Sequence, residues 1–417
     1  MLIKKLNNGL TYIVDNSVGK NSVTILIGVK VGSRNESKNE YGLSHFLEHM
    51  LFKGTKKRKE SKDVSNSIYK YGASMNAFTD YDMTCYHITI SSEHTEDALE
   101  VLSDMMFNST LADLKPEIGV VVSENKKNSS NPIDILFEKS CNQVFKNTTL
   151  AHSVGGHNTV IKKFNKAFVN KYYKKYYSSN NMILSIAGKT PSNVESMIKK
   201  YFSKNNIKTI PKSPSYMNFK DIQNKPRFNS IVKPFPQSYV GISFPIYDFN
   251  DKRSYALGII DTILCGNMSS RLFIKLRDKS GLVYIVNTDL SYYKDLGMYT
   301  IYFGTYPNKI NKAYNIVINE LTDLKNNLVT KSELNKAIDY SIGSQKLIAE
   351  DTNFIAENNF SEYYYSNKIE SWASVFKKIK NVKPIDVKNV ANDIFKFEKI
   401  NVNIVNNKKI NNLIKPF

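Results

Sequence analysis

The chain has 417 residues, 41% of them hydrophobic and 12% aromatic, which excludes a disordered chain and leaves room for two or more domains at roughly 100–200 residues each. A formal charge of +20 raises nucleic-acid or membrane-surface binding, since basic proteins displace counterions from phosphates. Arginine, the better planar phosphate reader, stands only at Arg34, Arg58, Arg227, Arg253, Arg271 and Arg277, the lysines are spread through an Asn-, Ile- and Tyr-rich chain, and specific nucleic-acid binding is not expected.

Met1–Gly9 lacks an apolar signal core and no run approaches about 18 apolar residues, so no membrane span is expected and the cytoplasm is the expected location. Residues 10–14 and 22–31 read as strands, rich in β-branched side chains. Residues 42–52 read as a helix carrying His45, Glu48 and His49, and 63–71 as a second helix that stops at Gly72. A strand at 84–90 and an amphipathic helix at 93–108 follow. Pro116–Lys127 reads as a helix capped by Asp113; its valines and Gly119 give poor propensity, so packing must hold it. A strand at 180–188 and a helix at 192–204 precede a polar stretch with Pro211, Pro214 and Pro226, read as an interdomain linker. Beyond it the first half repeats in outline: 238–244 stands where 23–29 stood, and 255–264 where the histidine helix stood, without histidines. Residues 347–376 and 386–397 read as helical and the tail 406–417 as polar and loose. Cys85, Cys141 and Cys265, odd in number and scattered, suggest a reducing compartment.

The expected fold is α+β: two homologous mixed α/β domains, 1–205 and 228–417, each a largely antiparallel sheet with helices packed on one side, joined by the linker 206–227.

On a helix, His45 and His49 lie one turn apart and Glu48 projects beside them from the same face. Neutral imidazole is a good zinc ligand, and a catalytic zinc keeps three protein ligands and a fourth position for water. Glu48 is placed to take that water's proton. Leu43, Phe46, Leu47, Met50 and Leu51 fill the other faces, so the helix should be buried with one polar strip that needs partners. Glu117 and Glu124, seven apart on a largely apolar helix, also need something positive nearby, and a zinc ion would answer that. His152 and His157 read as exposed loop histidines, in preference to a second metal site. His87 and His94 carry no functional reading.

These segments resemble the inverzincin metallopeptidases, the family of pitrilysin, insulin-degrading enzyme and mitochondrial processing peptidase. The likeness runs through Val31–Arg34, Gly42–Thr55, Met75–Thr79 with Tyr86, and Gly266–Phe273 with Leu276–Tyr284. It implies that Glu124, 75 residues after His49, joins His45 and His49 as the third ligand of one Zn²⁺ per chain, with Glu117 supporting it. It implies that Arg277 and Tyr284 reach the substrate and the developing oxyanion, and that Asn76, Ala77 and Phe78 form an edge strand to which an extended peptide adds. The chain would then be a zinc-dependent endopeptidase of the short two-domain type, catalytic in 1–205. Its domains would close as a clam-shell, and two chains, identical or related, would enclose a chamber. The alternative is a non-catalytic structural or regulatory subunit of the same family. Such subunits usually lose the metal residues, which this chain keeps.

Overall fold

The computed structural model describes residues 1–19, 21–203, 214, 216–217 and 223–413; most of the expected linker 206–227 and the last four residues of the tail lie outside them. The first sheet contains β1 (Leu2–Lys5), β2 (Thr11–Asp15), β3 (Ser22–Val29), β4 (Ser74–Thr79), β5 (Thr84–Ser91) and β6 (Met182–Gly188), in the order β1-β2-β6-β3-β5-β4. Only β2 and β6 pair in parallel. The second sheet contains β7 (Arg227–Val232), β8 (Ser238–Ile246), β9 (Val283–Tyr292), β10 (Gly297–Thr305) and β11 (Asn401–Asn406), in the order β7-β11-β8-β10-β9, with only β7 and β11 parallel. Strands β2, β6, β3, β5 and β4 thus reappear in the same spatial order and relative direction as β7, β11, β8, β10 and β9. The two halves repeat one α+β topology.

The chain forms two compact units, and each takes a helix from the other half of the sequence. The first gathers Met1–Lys126, His152–Pro214 and Lys346–Ile369; the second gathers Lys127–Ala151, Ser215–Gln345 and Glu370–Phe417. A cut at 206–227 alone does not describe this exchange. Its cause is visible in β3, which is buried along nearly its whole length. Val23, Ile25, Ile27 and Val29 face a core that includes Leu43, Phe46 and Leu47 of helix Leu43–Met50 and Leu99 and Leu102 of helix Thr95–Asn108. Most helices of the unit pack on that side. The opposite face is covered by the single helix Thr352–Ser366: Thr352 shares a 2.8 Å hydroxyl bond with Thr24, and Phe360 lies against Gly28. In the second unit helix Pro132–Val144 does the same, its Leu136 seated over Gly241 of β8. A near-continuous apolar strand is what a sheet covered on both faces requires.

The helix expected over 347–376 is three: the end of Lys331–Ile348, then Thr352–Ser366 and Trp372–Lys380. Asp351 ends the run by capping Asn353 N–H at 2.7 Å, and Asn367 closes the second helix in the left-handed conformation, φ +56°. Helices Pro132–Val144, Lys166–Tyr176 and Ile310–Asn326 and strands β9, β10 and β11 carry no sequence expectation. Among the described residues no helix is long and apolar enough to cross a membrane.

Gly28 allows a test of the covered face. A Cβ there would come 2.0 Å from Phe360 Cε2, so Gly28→Ala should destabilise the protein by about 1–3 kcal/mol through overpacking. Denaturant unfolding measures it, and adding Phe360→Leu should recover part of the loss; equal midpoints for wild type and Gly28→Ala would refute the close packing.

Candidate metal centre

Helix Leu43–Met50 starts at Gly42, whose φ of +93° favours glycine. Its first free N–H groups, which every helix must satisfy from outside, are met by Glu36: the carboxylate accepts from Gly42 N at 2.8 Å and Ser44 N at 2.7 Å. Leu43, Phe46, Leu47 and Met50 are fully buried, which fixes the helix's roll and turns His45 and His49 to one side, their rings 4.8 Å apart between centroids. Helix Leu114–Asn128 supplies Glu117 and Glu124. It follows two non-glycine residues with positive φ, Leu111 and Asp113; Asp113 contributes its carbonyl to Glu117 N–H.

The two helices bring three donors together. His45 Nε2 lies 3.8 Å from Glu124 Oε1 and His49 Nε2 lies 3.5 Å from Glu124 Oε2, and one donor atom from each of the three residues falls within 4.8 Å of the others. Ligands bonded to zinc at about 2.0–2.1 Å in tetrahedral directions stand roughly 3.4 Å apart, so the set, spread over up to 4.8 Å, can close on one ion by drawing together. Burial, helped by the neighbouring His49, pulls the His45 pKa down to about 4, which keeps its ring neutral and its lone pair free. His49 is fixed from behind: Nδ1 bonds Glu117 Oε1 at 2.8 Å, leaving Nε2 toward Glu124, and the other Glu117 oxygen takes Lys53 Nζ at 2.5 Å. Burial opposes charge on both partners. It is outweighed by the Glu117 bond and the surrounding carboxylates for His49, whose pKa rises, and by His49 and Lys53 for Glu117, whose pKa falls. A carboxylate behind a ligating imidazole is the usual device for setting its tautomer and aim.

Glu48, 9% exposed, accepts a 2.6 Å bond from Thr79 Oγ1. Burial lifts its pKa, with Thr79 and His49 opposing. Thr79 ends β4, so the segment Asn76–Ala77–Phe78 leads directly to Glu48. β4 is an edge strand, paired only with β5. Ala77 N–H bonds Asn76 Oδ1 at 2.9 Å, and no strand among the described residues pairs with the side of β4 away from β5.

Arg277 and Tyr284 belong to the second unit. Arg277 is exposed on the π-helical turn Phe273–Asp278, stacked over the Phe273 ring at 5.1 Å, with no carboxylate partner among the described residues. Tyr284, 40% exposed on the edge strand β9, lies over Gly304 and meets the Tyr239 ring edge-on at 6.1 Å. Partial burial, then Tyr239, pushes its phenol pKa up.

One expectation is corrected. His152 is not an exposed loop histidine but is buried, donating from Nε2 to Ser33 O at 2.7 Å beside Glu36. Three contributors carried no sequence expectation: Lys53, Thr79 and Glu36. Lys53 follows His49 by four residues, a helical spacing that signals a shared face; nothing local signals the other two.

Fold and site together define a duplicated α+β protein whose first unit gathers donors that fit one divalent transition metal. The model of Insulinase (Peptidase family M16) matches residues 11–158, and that of the Peptidase M16 inactive domain matches 163–340. An uncharacterized zinc protease of Rickettsia bellii is 32% identical over 396 residues, 94% of each chain, and one of Bacillus subtilis is 30% identical over 394 residues, 93% of this chain and 94% of that one. A protease structure from Helicobacter pylori superposes with a TM-score of 0.91 at 24% identity, over 97% of this chain and 99% of that one. A peptidase M16 inactive domain from Pseudomonas fluorescens gives 0.86 at 16%, over 99% of each. The two structures, at these identities, speak to the fold. The chain belongs to peptidase family M16, in its short two-domain form.

Proposed function

We propose that the protein is a zinc-dependent endopeptidase that cleaves extended or unstructured polypeptide. The carrying observation is the convergence of His45, His49 and Glu124 beside a buried carboxyl, Glu48, at the end of an open strand edge. His45, His49 and Glu124 would hold the ion, one per chain. Zinc bound there would acidify water and polarise the scissile carbonyl.

The protein's own groups supply the rest. A substrate strand adds along Asn76–Phe78, exchanging backbone hydrogen bonds with β4, which gives affinity with little sequence demand. Glu48 takes the proton of the attacking water and returns it to the leaving amine. Glu117 keeps the His49 ring aimed, and Lys53 keeps Glu117 charged. Arg277, uncommitted to any acid among the described residues, and Tyr284, with a firmly held proton, are suited to donate to the substrate carbonyl as negative charge develops. A non-catalytic role in a complex, the alternative reading, is disfavoured by the intact donor set.

Elemental analysis of purified protein, run beside cleavage of a quenched unstructured peptide library, tests the proposal. About one zinc per chain and chelator-sensitive cleavage are expected. Protein free of zinc after metal-replete purification would refute it; bound zinc without cleavage, alone or with a related chain, would favour the non-catalytic role.

A further inference from the structure

The loop His152–Asn158 touches both ligand-bearing helices, each within three residues of a ligand. At one end, Asn125, the residue after Glu124, donates from Nδ2 to Gly155 O at 2.8 Å and to Asn158 Oδ1 at 3.0 Å. Gly155 lies so close that a Cβ on it would stand 2.3 Å from Asn125 Oδ1. At the other end, Gly156, φ +66°, packs backbone to backbone on Gly42; a Cβ there would come 2.3 Å from Gly42 Cα and N. His152 lies 3.6 Å from the same Glu36 oxygen that accepts Gly42 N–H, and Tyr41 stacks on its ring at 4.0 Å between centroids. The loop thus spans from the start of the His45 helix to the end of the Glu124 helix.

Glu124 needs such a tie. Its own carboxylate, the most exposed of the three donors, meets only the two imidazoles among the described residues, at distances too long for hydrogen bonds. Its position before an ion is bound therefore depends on the helix beneath it, and that helix is a poor one by propensity.

We propose that the loop His152–Asn158 acts as a spacer that sets the separation of Glu124 from His45 and His49, with Asn125 and His152 as its positioning residues. The inference rests on the zinc reading above. Asn125 is not one of the three donors, and its amide nitrogen is spent on the loop; it acts through Glu124.

The test uses the full chain with zinc itself as probe. Asn125→Ala removes both donors, and Gly155→Ala drives a methyl group against Asn125. Zinc affinity is measured by chelator competition, coordination by the visible spectrum of the cobalt-substituted protein, and folding by the melting temperature of metal-free protein. Changes in groups that orient a ligand typically weaken metal binding by about 10–100-fold, so Asn125→Ala should bind zinc about 10-fold more weakly or worse, with a shifted cobalt spectrum and a metal-free melting temperature within about 2 °C of wild type. Unchanged affinity and spectrum in Asn125→Ala, while Glu124→Gln loses zinc, would overturn the spacer and leave the zinc reading standing. A fall in metal-free melting temperature without loss of affinity would overturn it too, marking Asn125 as structural only. Wild-type affinity in Glu124→Gln would instead refute the ligand assignment on which the inference rests.

Discussion

Glu48→Gln is expected to keep its zinc and lose its cleavage. The substitution preserves side-chain length, and the amide oxygen still accepts from Thr79 Oγ1, which holds the wild-type carboxylate at 2.6 Å. His45, His49 and Glu124 are untouched, so the donor set and the fold should remain. The property removed is the capacity to accept a proton: an amide has no basic lone pair at neutral pH. A positioned general base contributes a factor of about 10²–10⁴, and kcat/KM on a quenched peptide should fall by that order while zinc content stays near wild type. The paired result matters, since a variant that lost both would report only that the site had collapsed. Cleavage at the wild-type rate with zinc bound would assign the base elsewhere.

The histidine helix was legible because everything that defines it is local. Spacing sets the shared face of His45, Glu48 and His49, and the apolar residues between them set the burial. Glu124 was not legible on those terms. It lies on a helix whose sequence is barely helical, and only the resemblance attached it to the histidines; the structure then brings it within 3.5 Å of His49. The helix exchange left a trace in β3, whose near-continuous apolar run required cover on both faces, but no residue in Pro132–Val144 states which sheet it will cover. His152 was misread because its burial comes from Glu36 and Tyr41, distant in sequence. Arg34 entered only among the scarce arginines and as part of a resemblance, and its physical role came from the fold.

That role leads to the largest expected effect on stability. Arg34 and Asp82 form an ion pair at 2.9 Å with side chains 0% and 1% exposed. Asp82 also accepts from Tyr365 Oη at 3.1 Å, and its carbonyl accepts from Tyr364 Oη at 3.2 Å, both on the exchanged helix Thr352–Ser366. Breaking a buried pair by removing one partner costs about 3–5 kcal/mol. Asp82→Ala should therefore lower the stability of metal-free protein by that amount in denaturant unfolding, with the Tyr365 hydroxyl also losing an acceptor. Replacing both charges with apolar groups is often close to neutral, so Arg34→Met combined with Asp82→Leu should cost much less than Asp82→Ala alone. A loss under about 1 kcal/mol in Asp82→Ala would mean that the site admits water and that the pair is not truly buried. The consequence reaches the metal centre through a short path. Ser33, beside Arg34, gives its carbonyl to His152, and Glu36, two residues on, caps the helix that carries His45 and His49. Asp82→Ala should accordingly weaken zinc binding as well, because the segment that orients the histidine helix is anchored by the same buried arginine.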